Sequence, residues 1–172
     1  MIIHCTFVQP DGTSQFEPKL GERIAESGTW VNPTLHVIRS EVAQLERKRL
    51  EEGLTSQEEQ MLDAVRYKYE GRLEVCRQLV TSGVRMIGGT DCGWSTYPFG
   101  QFHEELNDMI SAGLTTSQAL LAGTSDAAKS LGLLDQIGTI EAGKEADLLV
   151  VDGDPTQDIA RLASTRAVFK GG

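Results

Sequence analysis

Val84-Arg85-Met86-Ile87-Gly88-Gly89-Thr90-Asp91-Cys92-Gly93 sets a short apolar run against a polar, glycine-flanked turn. The run reads as a buried strand and the turn as its carboxyl end, where functional groups tend to sit. Two runs of the same kind lie upstream. Ile2-Ile3-His4-Cys5-Thr6-Phe7-Val8 stops at Pro10-Asp11-Gly12, and Thr29-Trp30-Val31-Asn32-Pro33-Thr34-Leu35 is closed by Pro33, which holds Asn32 extended.

Helical patterns separate these strands. Leu20, Ile24 and Ala25 recur at helical spacing between Glu17 and Ser27, with Gly28 as the stop. A charged, Leu-bearing stretch from about Val37 to Glu52 predicts a second helix. After Gly53-Leu54, Thr55-Ser56-x-x-Glu59 offers a capping box for a third, running to about Ser82. Met61, Leu62, Val65, Tyr69, Leu73, Cys76, Leu79 and Val80 keep a stripe of period ~3.6 that marks one buried face.

Beyond the third strand, a loop through Trp94 to Pro98 leads to expected helices over Gln101–Ala112 and Thr116–Leu131. Strands alternating with helices are the signature of parallel βα units with right-handed crossovers. After Gly132 the pattern changes. Gly138-Thr139-Ile140, Asp147 to Val151 and Arg166 to Lys170 read as short strands punctuated by Gly143 and Gly153-Asp154-Pro155, a small β appendage.

With 172 residues, 40% of them hydrophobic and 24% charged, the chain has globular composition. A net charge of −9 argues against nucleic acid as a partner. The densest basic run, Arg47-Lys48-Arg49, is flanked by Glu46, Glu51 and Glu52 and reads as a solvated helix face. Three cysteines without C-x-x-C spacing suggest neither a disulfide framework nor a zinc knuckle. A reducing, cytoplasmic setting with no membrane partner is expected.

Two of the three strands carry a metal-competent side chain at or near the carboxyl end, His4 on the first and Asp91 on the third. In a closed parallel barrel all such ends face one rim. Imidazole nitrogen and carboxylate oxygen both suit zinc, and a carboxylate beside an activated water can take its proton. Blander roles stand beside these: a lone His at a strand end often serves packing through a hydrogen bond, and Asp in Thr-Asp-x-Gly can cap its own turn.

Seven motifs occur in order: Ile3-His4-Cys5-Thr6-Phe7, Asn32-Pro33-Thr34-Leu35, Gly89-Thr90-Asp91-Cys92-Gly93, His103-Glu104-Glu105-Leu106, Leu114 to Leu120, Thr124-Ser125-Asp126-Ala127-Ala128, and the run from Gly138 through Asp147 to Pro155. Together they resemble the closing half of an amidohydrolase of the imidazolonepropionase and prolidase-like branch. That resemblance implies an α/β fold, a partial TIM (β/α)8 barrel made of the last three βα units. Residues 1–134 would form the barrel portion and 135–172 the C-terminal strands of a small β-sandwich. It implies a hydrolase of amide, cyclic amide or peptide C–N bonds, with His4 and Asp91 as metal ligands and Asp91 as the catalytic proton shuttle. Thr90, Trp94 and His103 are then the expected substrate contacts, although His103 could equally cap or pack a helix. A small molecule or dipeptide is the implied substrate, and one or two divalent metal ions, zinc foremost, the cofactor.

The family's His-x-His pair, its bridging Lys and a further His have no counterpart in this sequence. His36 matches no ligand position and reads as an ordinary loop residue. Two protein ligands fall short of the three usual for catalytic zinc, so weak or absent metal binding is expected of this chain alone. Three strands of an eight-stranded barrel also leave open edges, so the remaining N-terminal barrel half, or further copies in a homo-oligomer, is expected to cover them. The alternative is a non-catalytic, truncated or degenerate module that self-associates through its long helices.

Overall fold

In the computed structural model, residues 1–93 and 97–172 are described. Three parallel strands, β1 (Ile2–Ile3), β2 (Trp30–Asn32) and β3 (Arg85–Met86), form one sheet in the order β1-β2-β3. Ile2 pairs with Val31 and Ile3 with Asn32, while Trp30 pairs with Arg85 and Val31 with Met86. The chain reaches β2 through α1 (Pro18–Glu26), which starts on a proline suited to a first helical turn and ends before left-handed Gly28. It reaches β3 through two long helices in contact, α2 (His36–Glu51) and α3 (Ser56–Thr81).

Each strand is shorter than its apolar run. The run expected to continue to Val8 leaves the sheet after Ile3, because His4, Cys5 and Phe7 adopt φ of 73°, 37° and 49° and cannot continue a pleat. The second run ends at Asn32, where Pro33 and left-handed Thr34 (φ 48°) turn the chain into α2. Backbone bonds from His4 N to Asn32 O and from Ile87 N to Val31 O, both 2.9 Å, carry the pairing to the carboxyl edge.

The capping box at α3 forms one residue earlier than the Ser56-x-x-Glu59 reading. Thr55 accepts from Glu58 N, and the Glu58 carboxylate returns to Thr55 N at 2.8 Å. Of the eight stripe residues on α3, Leu62, Cys76 and Leu79 are buried, Val65, Tyr69, Leu73 and Val80 are half-buried, and Met61 stands exposed at the rim. The basic run of α2 lies at the surface and meets carboxylates, Arg47 with Glu51, Lys48 with Glu58 and Arg49 with Glu59.

α4 (Phe102–Ser111) packs against α2, α3 and α5 (Thr116–Ala122). The single helix expected over 116–131 is two, α5 and α6 (Ser125–Ser130), broken at Thr124 with φ −132° and ψ −100°. The break frees the Ala122 carbonyl to accept from Gly88 N at 2.9 Å, which docks the end of α5 on the end of β3. The core fills the space between sheet and helices, with Val31, Leu35, Leu79, Leu106, Met109 and Ala119 each at most 2% exposed. Burying an aliphatic side chain of this size contributes about 1.5–3 kcal/mol.

At the C-terminus β4 (Leu148–Val151) and β5 (Thr165–Phe169) pair antiparallel. Asp147 ties their open end together, accepting from the Lys170 ammonium and, at 2.9 Å, from Gly171 N. The stretch Gly138-Thr139-Ile140, expected as a strand, is a loop lying over α6, and a Cβ on Gly138 would sit 2.6 Å from the Ala128 methyl. Among the described residues no helix is long and apolar enough to cross a membrane.

Candidate functional site

Because β1, β2 and β3 run parallel, their carboxyl ends share one edge, and the turns that leave them carry the polar side chains. His4 follows β1 directly and Asp91 follows the Gly88-Gly89-Thr90 turn after β3. The structure brings the two together, with His4 Nε2 3.9 Å from Asp91 Oδ2 and both side chains a little under half exposed. That gap is too wide for a hydrogen bond. With metal–ligand bonds of about 2.0–2.2 Å, donors up to about 4 Å apart can still reach one ion.

Both residues sit in left-handed backbone, Asp91 at φ 53°. Such conformations are uncommon outside glycine and cluster where function requires a particular side-chain direction. Gly89 sets the approach of the Asp91 turn, since a Cβ there would lie 2.1 Å from the Asn32 amide nitrogen. The turn-capping role open to Asp91 falls to its neighbour, as Thr90 Oγ1 accepts from Cys92 N at 3.3 Å.

His4 Nδ1 lies 2.7 Å from Thr34 Oγ1, and the Thr34 hydroxyl donates to the Pro33 carbonyl at 2.8 Å. On β2, between the two strand ends that carry His4 and Asp91, Asn32 Oδ1 is buried and has no hydrogen-bond partner among the described residues. A cleft of about 490 Å³ opens on this edge, lined by His4, Thr6 and Asp91 together with Val37, Ile38 and Glu41 of α2 and Lys68 and Arg72 of α3. Burial lowers the pKa of the Arg72 guanidinium, and the negative charge of Asp91 works against that shift. A larger groove of about 610 Å³ lies elsewhere, between α6 and β4, and is mostly aliphatic. With neither His nor Cys in its lining, it offers little chemistry.

Behind the edge, α4 sends two carboxylates into the core. Glu105 Oε1 accepts from Leu35 N at 3.0 Å and Oε2 from His36 N at 2.7 Å. Burial pushes the Glu105 carboxyl up to about 8, against the lowering effect of the His36 and Leu35 amides. Asp108 Oδ2 lies 2.9 Å from His36 Nδ1, and its Oδ1 accepts from Arg39 Nη1 at 2.6 Å and from Tyr69 Oη at 3.1 Å. Burial, with Asp108 beside it, raises the Tyr69 phenol to about 12.

His36 is thus not an ordinary loop residue. It is the first residue of α2, 5% exposed, and its ring meets Tyr97 edge-on at 4.8 Å. His103 lies in the first turn of α4 with Nε2 3.5 Å from Glu104 Oε1; Gln101 holds the N-cap position, and the cleft lining does not include His103. Thr90 is half-buried in its turn and likewise does not line the cleft. Trp94 lies outside the described residues.

The sequence reading missed Thr34, Lys68, Arg72, Glu105 and Asp108. For Glu105 and Asp108 a signal existed, since their three-residue spacing on an amphipathic helix puts them on one face, the apolar one. The donor chemistry of His4 and Asp91, an imidazole nitrogen and a carboxylate oxygen 3.9 Å apart, suits a divalent cation. Among the described residues no three or more His, Cys, Asp or Glu side chains assemble to hold a metal. The pair fits as part of a ligand set and not as a complete one.

Parallel βα units with a His and an Asp converging at one carboxyl edge place the chain in the class of α/β proteins that build sites from strand-end turns. A model of the Amidohydrolase family matches residues 16–172, and the chain belongs to that family. The match includes Asp91, while His4 precedes it. The imidazolonepropionase of Rhizobium meliloti (strain 1021) is 36% identical over 107 residues, covering 59% of this chain and 26% of the relative. A crystal structure of a Xaa-Pro dipeptidase with methionine bound in the active site superposes with a TM-score of 0.71 at 26% identity, over 99% of this chain and 38% of that one. The ochratoxinase of A. niger, at 23% identity and a TM-score of 0.70, shares the fold over 99% of this chain and 35% of its own. The chain therefore spans about a quarter of the length of that imidazolonepropionase and under two-fifths of the dipeptidase.

Proposed function

We propose that this chain is the C-terminal portion of a metal-dependent hydrolase acting on C–N bonds. In this reading β1, β2 and β3 are the last three strands of a (β/α)8 barrel, residues 1–134 belong to the barrel, and 135–172 add strands to a β-sandwich beside it. His4 Nε2 and Asp91 Oδ2 would hold a divalent cation, zinc by donor type, with further ligands from outside these residues. When bound, such a cation would supply Lewis acidity toward a substrate carbonyl and a lowered pKa for the attacking water.

Asp91 is the proton carrier. Its carboxylate takes a proton from the attacking water and returns it to the departing nitrogen, so that the C–N bond breaks as a C–O bond forms. The same cleft holds charges for a small polar substrate: Lys68 and Arg72 suit a carboxylate, and Glu41 an ammonium. A dipeptide carries both, in keeping with the structural likeness to a Xaa-Pro dipeptidase.

The observation that carries the proposal is the 3.9 Å approach of His4 and Asp91 at the carboxyl edge of one parallel sheet. The test uses the longest natural polypeptide that contains this sequence, stripped of metal, reloaded with zinc and assayed on a dipeptide panel. Asp91→Asn is expected to lower kcat by about 10²–10⁴-fold, and His4→Ala to lower bound metal. Unchanged metal content and rate in both variants would refute the assignment.

A further inference from the structure

A hydroxyl has one proton to give. That of Thr34 goes to the Pro33 carbonyl at 2.8 Å, so toward His4 Nδ1, 2.7 Å away, the same oxygen can only accept. Turning the hydroxyl to donate to the ring instead would take that donor from the carbonyl of buried Pro33. That arrangement of the hydroxyl puts the ring proton on His4 Nδ1 and leaves the lone pair on Nε2, the nitrogen 3.9 Å from Asp91 Oδ2.

Thr34 is also a costly residue for its position. It is 1% exposed and β-branched, yet it holds φ 48°, where glycine or asparagine would sit with less strain. The backbone is held there by Glu105, which clamps the amides of Leu35 and His36 from 70 and 69 residues away in sequence. A strained backbone clamped by a buried carboxylate, with its hydroxyl oxygen placed to accept from a ring nitrogen, suits a supporting contact to a ligand residue.

We propose that Thr34 is a positioning residue that selects the Nδ1–H tautomer of His4 and so keeps Nε2 unprotonated on the Asp91 side. Its consequence for metal rests on the function proposed above; the tautomer itself does not. The test is a long-range proton–nitrogen correlation spectrum of the ¹⁵N-labelled, metal-free chain, recorded with the His4 ring neutral. The wild type is expected to show a protonated Nδ1 and a bare Nε2, Thr34→Ser the same pattern, and Thr34→Val a shift toward the Nε2–H form. A wild-type spectrum with the proton on Nε2 overturns the proposal, as does a Thr34→Val spectrum indistinguishable from wild type. Should Thr34→Val fail to fold, the wild-type spectrum decides alone. Zinc titration of the longer natural polypeptide that contains this sequence, carrying the same substitutions, separates the two layers. Thr34→Val is expected to bind zinc about 10–100-fold more weakly, whereas zinc binding by His4→Ala equal to wild type would remove His4 from the ligand set and leave the tautomer result standing.

Discussion

Left-handed backbone at His4, Thr34 and Asp91 costs about 1–3 kcal/mol per residue and persists only where surrounding contacts over-determine it. The three are spread over 87 positions, from His4 to Asp91, and meet at one sheet edge, so the strain collects where the proposed chemistry is. His4 and Asp91 were singled out from the sequence because each is a metal-competent group at or near the carboxyl end of a strand-like run. Lys68 and Arg72 were not, because α3 is rich in charge and only packing decides which of its faces meets the cleft. Arg72→Met keeps the apolar stem and removes the charge. If Arg72 receives a substrate carboxylate, KM for a dipeptide is expected to rise about 10–100-fold, the weight of a hydrogen bond to a charged group. The matching amide, lacking the carboxylate, should be hydrolysed as before. Steady-state kinetics on the pair check this, and equal losses on both would remove the anion role.

Among the elements, α4 does more than cover the sheet. Its buried carboxylates, Glu105 and Asp108, fasten the start of α2, and with it the Thr34 turn, to the core. Replacing Glu105 by Gln sets an amide donor against a backbone N–H and is expected to cost about 1–3 kcal/mol in urea unfolding. The pH dependence has a definite sign. Folding raises the Glu105 carboxyl from 4.5 to about 8, so the folded chain binds the extra proton between those values. The stability it contributes is complete below about pH 4.5 and is lost as pH rises toward about 8. Unfolding curves at pH 5 and pH 8 should therefore differ less for Glu105→Gln than for wild type; an unaltered difference would place the titration elsewhere. Sequence patterns located the helices to within a residue or two, because capping and apolar spacing are local. They overran the strands and fused α5 with α6, because the end of pairing at His4 and the bond from Gly88 N to Ala122 O depend on contacts remote in sequence.

At the scale of the whole molecule, among the described residues the parallel sheet has unpaired edges along β1 and β3, and Ile3 of β1, Ile140 of the loop over α6 and Val168 and Phe169 of β5 are substantially exposed. Open edges and exposed apolar side chains are pairing surfaces. If these surfaces meet the rest of a barrel and sandwich, the isolated chain is expected to self-associate with rising concentration in sedimentation velocity runs. A longer natural polypeptide containing it should sediment as one species whose mass does not depend on concentration. A strictly monomeric isolated chain would count against the barrel reading.

The amino-acid order by itself determined the alternation of strands and helices, the two ionisable strand ends and the likeness to amidohydrolases, since each of these is written in neighbouring residues. Only the tertiary structure decided that His4 Nε2 faces Asp91, that His36 is core and that Glu105 holds the Thr34 turn. Those facts rest on hydrogen bonds and ion contacts between residues 30 to 87 positions apart, which no local pattern encodes.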